Sequence, residues 1–176
     1  MLSALRLLAA PLAAWLILNH HDTASLIVFA AAGASDGLDG YVARRWGVTS
    51  RFGAWLDPVA DKLLMLFSLT ALYIVGATPV WLLALVVARD AAIAAGWVLI
   101  QYLALPMRRE PLMIGKISTV VQVVYILAML LLLALEIDAP ALANGAAWVT
   151  GLVTILSASA YAGLFLRGFL TRKSTP

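Results

Sequence analysis

Long apolar runs alternate with short polar breaks along nearly the whole chain. A helix that crosses a membrane needs about 20 mostly apolar residues, and six runs approach or exceed that length. The pattern predicts an all-α, polytopic membrane protein that forms a single domain over residues 1–176. The six predicted transmembrane helices cover residues 2–18, 24–44, 51–75, 80–105, 115–135 and 142–169.

Composition supports placing these helices in lipid. Hydrophobic residues make up 64% of the chain and charged residues 12%, whereas soluble domains carry about 25% charged residues. The chain has no cysteine, which excludes disulfides and thiolate metal sites. In a membrane protein, a net charge of +3 reflects the orientation of the chain in the membrane and its contact with anionic lipids. We therefore expect no nucleic-acid partner.

Basic residues gather at alternate connections between the predicted helices. The first, third and fifth connections hold no Lys or Arg, whereas basic residues flank the second and fourth: Arg44, Arg45 and Arg51, and Arg108, Arg109 and Lys116. The positive-inside rule then places both termini and the two basic connections in the cytosol. We expect an integral protein of a bacterial inner membrane.

Four aspartates lie at the cytosolic ends of the second and third predicted helices. Asp36 and Asp39 are three residues apart, and Asp57 and Asp61 are four residues apart. Each spacing places a pair on one helix face. A short loop joins the two helices, so we expect antiparallel neighbours whose carboxylates converge about 10 Å inside the helix ends, at about 1.5 Å per residue.

Converging carboxylates in lipid require protonation or a bound cation. Oxygen ligands without His or Cys favour Mg²⁺, Mn²⁺ or Ca²⁺ over zinc, and pairs of divalent ions serve phosphoryl chemistry. An ion transporter is the remote alternative. A transporter should place its acids near the membrane midplane, often on repeated or broken helices, whereas these acids lie near one surface and the chain shows no internal repeat.

Small residues on the second helix allow two interpretations. Gly33, Gly37 and Gly40 recur at three- and four-residue spacing, which suits either close helix packing or access for a bulky phosphate ligand. Arg44 follows them as a candidate phosphate contact. Lys62 points off the acid face by helical geometry, and we expect it to extend towards the membrane surface.

The stretch from residue 36 to residue 61 reads D-G-L-D-G-Y-V-A-R, eight residues, then G-A-W-L-D-P-V-A-D. It resembles the signature of the CDP-alcohol phosphatidyltransferases, D-x-x-D-G-x-x-A-R-x8-G-x3-D-x3-D, without a departure. The resemblance implies two divalent metal ions, Mg²⁺ or Mn²⁺, with Asp36, Asp39 and Asp57 as ligands. It implies that Asp61 also lies at the metals and acts as the catalytic base.

The same resemblance implies a nucleotide site, substrates and an assembly. The residues expected to line the pocket for the cytidine nucleotide are Gly40, Ala43, Arg44 and Gly53. The implied reaction transfers a phosphatidyl group from CDP-diacylglycerol to an acceptor alcohol and releases CMP. We expect a homodimer, since family members of known structure are homodimers.

The signature does not identify the acceptor alcohol, so the acceptor must be inferred from residues outside it. Arg89 and Lys116 are candidates for its phosphate, with an ion pair to Asp90 as the alternative role of Arg89. The segments "ARDAAIAAGWVLI", "GKISTVVQ" and "ASAY" resemble CMP-forming cardiolipin synthases, which use phosphatidylglycerol. They lack two cations that phosphatidylglycerophosphate synthases usually carry for glycerol 3-phosphate, which remains the alternative acceptor.

Overall fold

A computed structural model describes the backbone of residues 2–46, 51–103 and 112–172, and the side chains of residues 5–35, 59–103 and 112–166. Within these ranges the secondary structure is helical, and the predicted number of helices is confirmed. The helices are α1 (Leu2–Leu18), α2 (Asp22–Trp46), α3 (Arg51–Ile74), α4 (Val80–Tyr102), α5 (Met113–Ala134) and α6 (Pro140–Arg172).

Three helices end in the same way, at the connections that carry no basic residue. The residues just after α1, α3 and α5, which are His20, Gly76 and Glu136, have φ values of 57°, 82° and 53°. In each case the next amide donates to a carbonyl five residues earlier, over 2.8–2.9 Å. This is the Schellman arrangement, which satisfies terminal carbonyls that would otherwise lack a donor.

Proline marks the start of two helices. Pro79 caps α4 with extended backbone angles, φ −72° and ψ 143°, and Pro140 is the first residue of α6. Proline suits these positions because the first amides of a helix have no partner within the helix. The fixed starts keep the third and fifth connections short.

Aromatic contacts fix the relative direction of α4 and α6. The ring centroids of Trp81 and Trp148 lie 4.8 Å apart, and those of Trp97 and Phe165 lie 5.8 Å apart. Because residue numbers rise together along this contact, α4 and α6 run parallel. α5 packs against α6 in the opposite direction, while α1 packs against both α2 and α3.

Polarity is distributed as in a membrane bundle. Large apolar side chains face outwards, among them Leu8, Ile27, Val98, Leu142 and Trp148. Small polar side chains are buried between the helices, including Ser25, Ser68, Ser118, Thr154 and Ser157. Apart from Ser68, these hydroxyl groups hydrogen-bond between or within helices, as expected where water is absent. An exterior of this kind is suited to lipid.

Three helices in the described part are long and apolar enough to cross a membrane. They are Val80–Tyr102, Met113–Ala134 and Pro140–Leu166. The described parts of α1 and α2 supply shorter apolar stretches, Leu5–Leu18 and Asp22–Ser35. The chain therefore has the helices of a membrane protein, and the count of six spans stays a prediction.

Candidate functional site

A cavity of about 610 Å³ lies among α3, α4, α5 and α6. One end, which we call the charged end, is lined by Lys62, Arg89, Asp90 and Lys116. The rest of the lining is mainly apolar and includes Met65, Leu69, Leu82, Val86 and Ile126. The lining of the cavity therefore suits an amphiphilic ligand, with an anionic group at the charged end and hydrocarbon along the apolar part.

Arg89 is the buried centre of the charged end. It is 5% exposed, its Nη1 donates to Asp90 Oδ1 over 2.6 Å, and its Nη2 donates to Ser157 Oγ over 2.7 Å. The ion pair that the sequence left as an alternative for Arg89 is therefore present. The Nε–H group is buried without a hydrogen-bond partner among the described residues, so this guanidinium keeps one unused donor beside the cavity.

Asp90 joins two helices at the charged end. Besides the bond from Arg89, its Oδ2 accepts a 2.7 Å hydrogen bond from Lys62 Nζ on α3. The sequence did not indicate this partner of Lys62, because helical geometry shows which face a side chain leaves but not which neighbouring helix supplies its partner. That Lys62 extends towards the membrane surface stays a prediction. One carboxylate therefore holds two cations beside the cavity.

Lys116 stands on the opposite wall, in the first turn of α5. It is exposed and lines the cavity, and no described carboxylate forms an ion pair with it. The structure thus brings Arg89 and Lys116 to one cavity, as expected of two residues that share a ligand. Their role in binding a phosphate is not tested by this geometry and stays a prediction.

Gly115 allows α5 and α6 to meet closely at this end. A Cβ atom added there would lie 2.7 Å from Tyr161 Oη. The hydroxyl of Tyr161 accepts a hydrogen bond from the Leu112 amide over 3.2 Å, and its ring centroid lies 6.0 Å from the Arg89 guanidinium carbon. Tyr161 therefore anchors the start of α5 and covers one face of Arg89.

Gln122 is a second buried polar group on the cavity wall. It is 2% exposed, and its Nε2 lies 3.2 Å from Thr154 Oγ1. Thr154 already donates its hydroxyl hydrogen to the Thr150 carbonyl over 2.8 Å, so towards Gln122 it can only accept, which fixes the amide orientation. Gln122 Oε1 then remains without a partner among the described residues.

Asp61 is the one predicted acid whose side chain lies in the described part. It is half-buried on α3, directly before Lys62, and it takes part in an interaction with another residue. The side chains of Asp36, Asp39 and Asp57 lie outside the described residues. The backbone of α2 and α3 is helical through all four positions, so the spacings that place each pair on one face are real.

The carboxylates expected to bind metal fit the ions that the sequence suggests. Four oxygen donors on two regular helices, with no His or Cys among them, form a set suited to Mg²⁺ or Mn²⁺. Among the side chains that the structure describes there is no cluster of three or more His, Asp or Glu. This agrees with three of the four acids lying outside that part of the chain.

The expected nucleotide residues, Gly40, Ala43, Arg44 and Gly53, also lie outside the described side chains and stay predictions. Gly33 is described, and a Cβ atom added there would meet nothing within 4 Å. Close helix packing therefore does not explain the glycine at this position.

The structure adds site residues that sequence reasoning did not single out. Gln122 lies on the cavity wall, and Ser157 and Tyr161 contact Arg89 at the charged end. Gln122 and Tyr161 lie in segments that carried the resemblance to cardiolipin synthases, and Ser157 directly precedes one of them. The sequence therefore marked these segments but assigned no role to the three residues. Only the folded chain shows that these segments face Arg89.

Comparisons with known proteins agree with the signature. A family model described as CDP-alcohol phosphatidyltransferase matches residues 1–156. A protein named probable cardiolipin synthase (CMP-forming), from Drosophila melanogaster, is 34% identical over 178 residues, which cover 92% of this chain and 55% of that protein. The cardiolipin synthase (CMP-forming) of Homo sapiens is 34% identical over 146 residues, covering 74% of this chain and 48% of that protein.

A bacterial relative carries the other predicted activity in its name. The CDP-diacylglycerol–glycerol-3-phosphate 3-phosphatidyltransferase of Bacillus subtilis is 32% identical over 139 residues, covering 78% of this chain and 71% of that protein. The chain spans about half the length of the two cardiolipin synthases. The names of its relatives thus include both activities that the sequence left open.

Proposed function

Because this chain belongs to the CDP-alcohol phosphatidyltransferase family, we propose that it transfers a phosphatidyl group from CDP-diacylglycerol to an anionic acceptor alcohol and releases CMP. The observation that carries this proposal is the cavity among α3, α4, α5 and α6. Its charged end offers cations to a phosphate, and its apolar length suits a lipid.

The reaction needs a group that accepts a proton and groups that bind the acceptor phosphate. The acceptor hydroxyl attacks the phosphorus that bears diacylglycerol, a new P–O bond forms, and the pyrophosphate bond to CMP breaks. Asp61 takes the proton of the attacking hydroxyl. Arg89 and Lys116 hold the phosphate of the acceptor, so that its hydroxyl reaches the donor in a fixed orientation.

The family generally uses divalent metal ions, which accords with the donor set of this chain. The residues that would hold Mg²⁺ or Mn²⁺ are Asp36, Asp39, Asp57 and Asp61. When bound, such ions neutralise charge on the pyrophosphate and the leaving CMP. We propose Gly40, Ala43, Arg44 and Gly53 as the wall that receives the cytidine nucleotide.

Phosphatidylglycerol is the acceptor that the cavity suits best, and the product is then cardiolipin. Its phosphodiester carries one negative charge, and its acyl chains would occupy the apolar length lined by Leu69, Leu82 and Ile126. Glycerol 3-phosphate has no hydrocarbon chain to fill that space. It remains the second candidate because a relative of similar identity is named for it.

We place the site at the cytosolic surface of a bacterial inner membrane, with the acyl chains in lipid and the nucleotide towards water. The exposed apolar side chains and the three long apolar helices support an integral membrane protein. Both termini on the cytosolic side follow from the distribution of Lys and Arg. The homodimer is proposed from the family resemblance.

Metal-dependent CMP release tests the proposal. Purified protein is given CDP-diacylglycerol with either phosphatidylglycerol or glycerol 3-phosphate, and CMP and lipid products are measured with and without Mn²⁺. We expect CMP and cardiolipin with phosphatidylglycerol. Reaction with glycerol 3-phosphate alone would make the chain a phosphatidylglycerophosphate synthase, and no acceptor-dependent CMP release would overturn the proposed function.

A further inference from the structure

Two buried polar atoms beside the cavity lack partners, and their chemistry is complementary. Arg89 Nε is a donor and Gln122 Oε1 is an acceptor, and neither makes a hydrogen bond to any described residue. Leaving a buried polar atom unpaired costs about 1–3 kcal/mol. Both residues line the same cavity, so a ligand that fills it lies next to both side chains.

Helix α6 sets the separation of the two groups. Arg89 bonds to Ser157, and Gln122 bonds to Thr154. Ser157 and Thr154 are three residues apart on α6, so they are neighbours on one face, about 5–6 Å apart at Cβ. Arg89 and Gln122 are therefore anchored to adjacent turns of α6.

A matching ligand needs an anionic oxygen for Arg89 and, a few ångströms away, a hydroxyl that donates to Gln122. A glycerol phosphate ester has this pattern, because its secondary hydroxyl lies one carbon beyond the ester carbon. The primary hydroxyl at the far end remains free to react. The pattern is shared by the headgroup of phosphatidylglycerol and by glycerol 3-phosphate.

We propose that Gln122 recognises the secondary hydroxyl of the acceptor's glycerol group while Arg89 pairs with its phosphate. This inference rests on the proposed function and assigns Gln122 as the residue that selects glycerol over simpler alcohols. The fixed orientation of the amide, imposed by Thr154 and Thr150, presents an oxygen to the ligand. A hydroxyl-bearing headgroup is favoured because a headgroup without it leaves that oxygen unpaired.

Acceptors that differ by one hydroxyl test the proposal. Phosphatidylglycerol is compared with phosphatidyl-1,3-propanediol, and glycerol 3-phosphate with 3-hydroxypropyl phosphate. The pair that reacts identifies the lipid headgroup or the free phosphate ester as the source. We expect wild-type protein to favour the glycerol member of that pair about fivefold to tenfold in kcat/KM, the worth of one hydrogen bond.

Gln122→Met should bring this ratio close to one, because it keeps the length of the side chain and removes the amide. Tyr125→Phe is the matched control. It removes a buried hydroxyl from the same helix and cavity, one bonded to Thr78 over 3.2 Å, and should leave the ratio unchanged. Displacement of a fluorescent phosphatidylglycerol from metal-free protein by each lipid provides a readout that does not depend on turnover.

The outcomes separate this inference from the proposed function. Absence of CMP release with every acceptor would overturn the proposed function. Active wild-type protein that does not distinguish the members of a pair would overturn the role of Gln122, even if the Met variant fails to fold. Persistence of the wild-type ratio in Gln122→Met would overturn that role as well.

Discussion

Two cavities at opposite ends of α5 differ in charge. The larger one, about 610 Å³, is lined by three cations and Asp90 near the start of α5. The smaller one, about 390 Å³, lies near the end of α5 and has Asp138 as its only charged lining residue among those described. The first contains the buried Arg89, which is bonded to Asp90 and Ser157. The second is bordered by the third and fifth connections between helices.

The difference shows where this bundle uses charge. Burying an arginine in a membrane protein is costly unless it is paired, and Arg89 is paired with Asp90 while keeping an unused Nε donor. The second cavity has no such group among its described lining residues. We interpret the first cavity as a ligand site and the second as a gap beneath helix ends, and this comparison leads to four predictions.

The largest effect is expected at Asp61. Asp61→Asn should reduce CMP release to background, because the amide cannot take the proton of the attacking hydroxyl. CDP-diacylglycerol binding, measured by displacement of a labelled analogue, should largely persist because the other three aspartates would still hold the metal ions and Asn is close to Asp in size. Activity near that of the wild type would remove Asp61 from the role of base.

A large effect on the acceptor alone is expected at Arg89. Arg89→Met should raise the KM for the acceptor about 100-fold, the upper range for a lost charge-assisted hydrogen bond, while the KM for CDP-diacylglycerol changes little. Ser157→Ala removes one supporting bond and serves as the control for packing, with a far smaller effect. Equal increases in both KM values would contradict an acceptor role for Arg89.

Lys116 should contribute less, because it is exposed and its charge is screened by water. Lys116→Gln should raise the KM for the acceptor about tenfold, with thermal unfolding unchanged. Arg109→Gln makes the same charge change in the preceding connection and should leave that KM within about twofold. If the two variants behave alike, Lys116 acts only through general surface charge.

The smallest effect concerns charge selectivity at Asp90. Asp90→Asn releases Lys62 and Arg89 from a shared carboxylate, which should strengthen competitive inhibition by dianionic glycerol 3-phosphate about threefold relative to the affinity for monoanionic phosphatidylglycerol. Asp138→Asn makes the same change at the second cavity and should not alter this ratio. A proportional loss for both ligands at Asp90 would indicate a purely structural ion pair.

The fold could be predicted closely from the sequence, because in lipid each spanning helix must be apolar and of nearly fixed length. α1 was predicted with its observed bounds, and α4 with its observed start at Val80. The ends of α4 and α6 were less exact. α4 ends at Tyr102, three residues before the predicted bound, whereas polar residues extend α6 past its apolar run. α6 continues to Arg172, three residues beyond the prediction.

The site could be predicted only where chemistry repeats along one helix. The i, i+3 and i, i+4 spacing of the aspartates is visible in the sequence. The pairing of Lys62 with Asp90 is not, since it joins α3 to α4 across 28 positions. The orientation of the Gln122 amide likewise depends on Thr154, which lies on another helix. The periodicity of one helix shows which residues share a face, but it does not show which residues of another helix pack against that face.

Photolabelling with an acceptor lipid tests the central claim most directly. Phosphatidylglycerol with a diazirine on one acyl chain is irradiated with the purified protein, and the labelled peptides are mapped by mass spectrometry. We predict labelling of the cavity walls around Val86 and Ile126, and loss of that label when unlabelled phosphatidylglycerol competes. Label confined to outward-facing residues such as Leu8 and Ile27, or unaffected by competition, would contradict the claim that this cavity binds the acceptor.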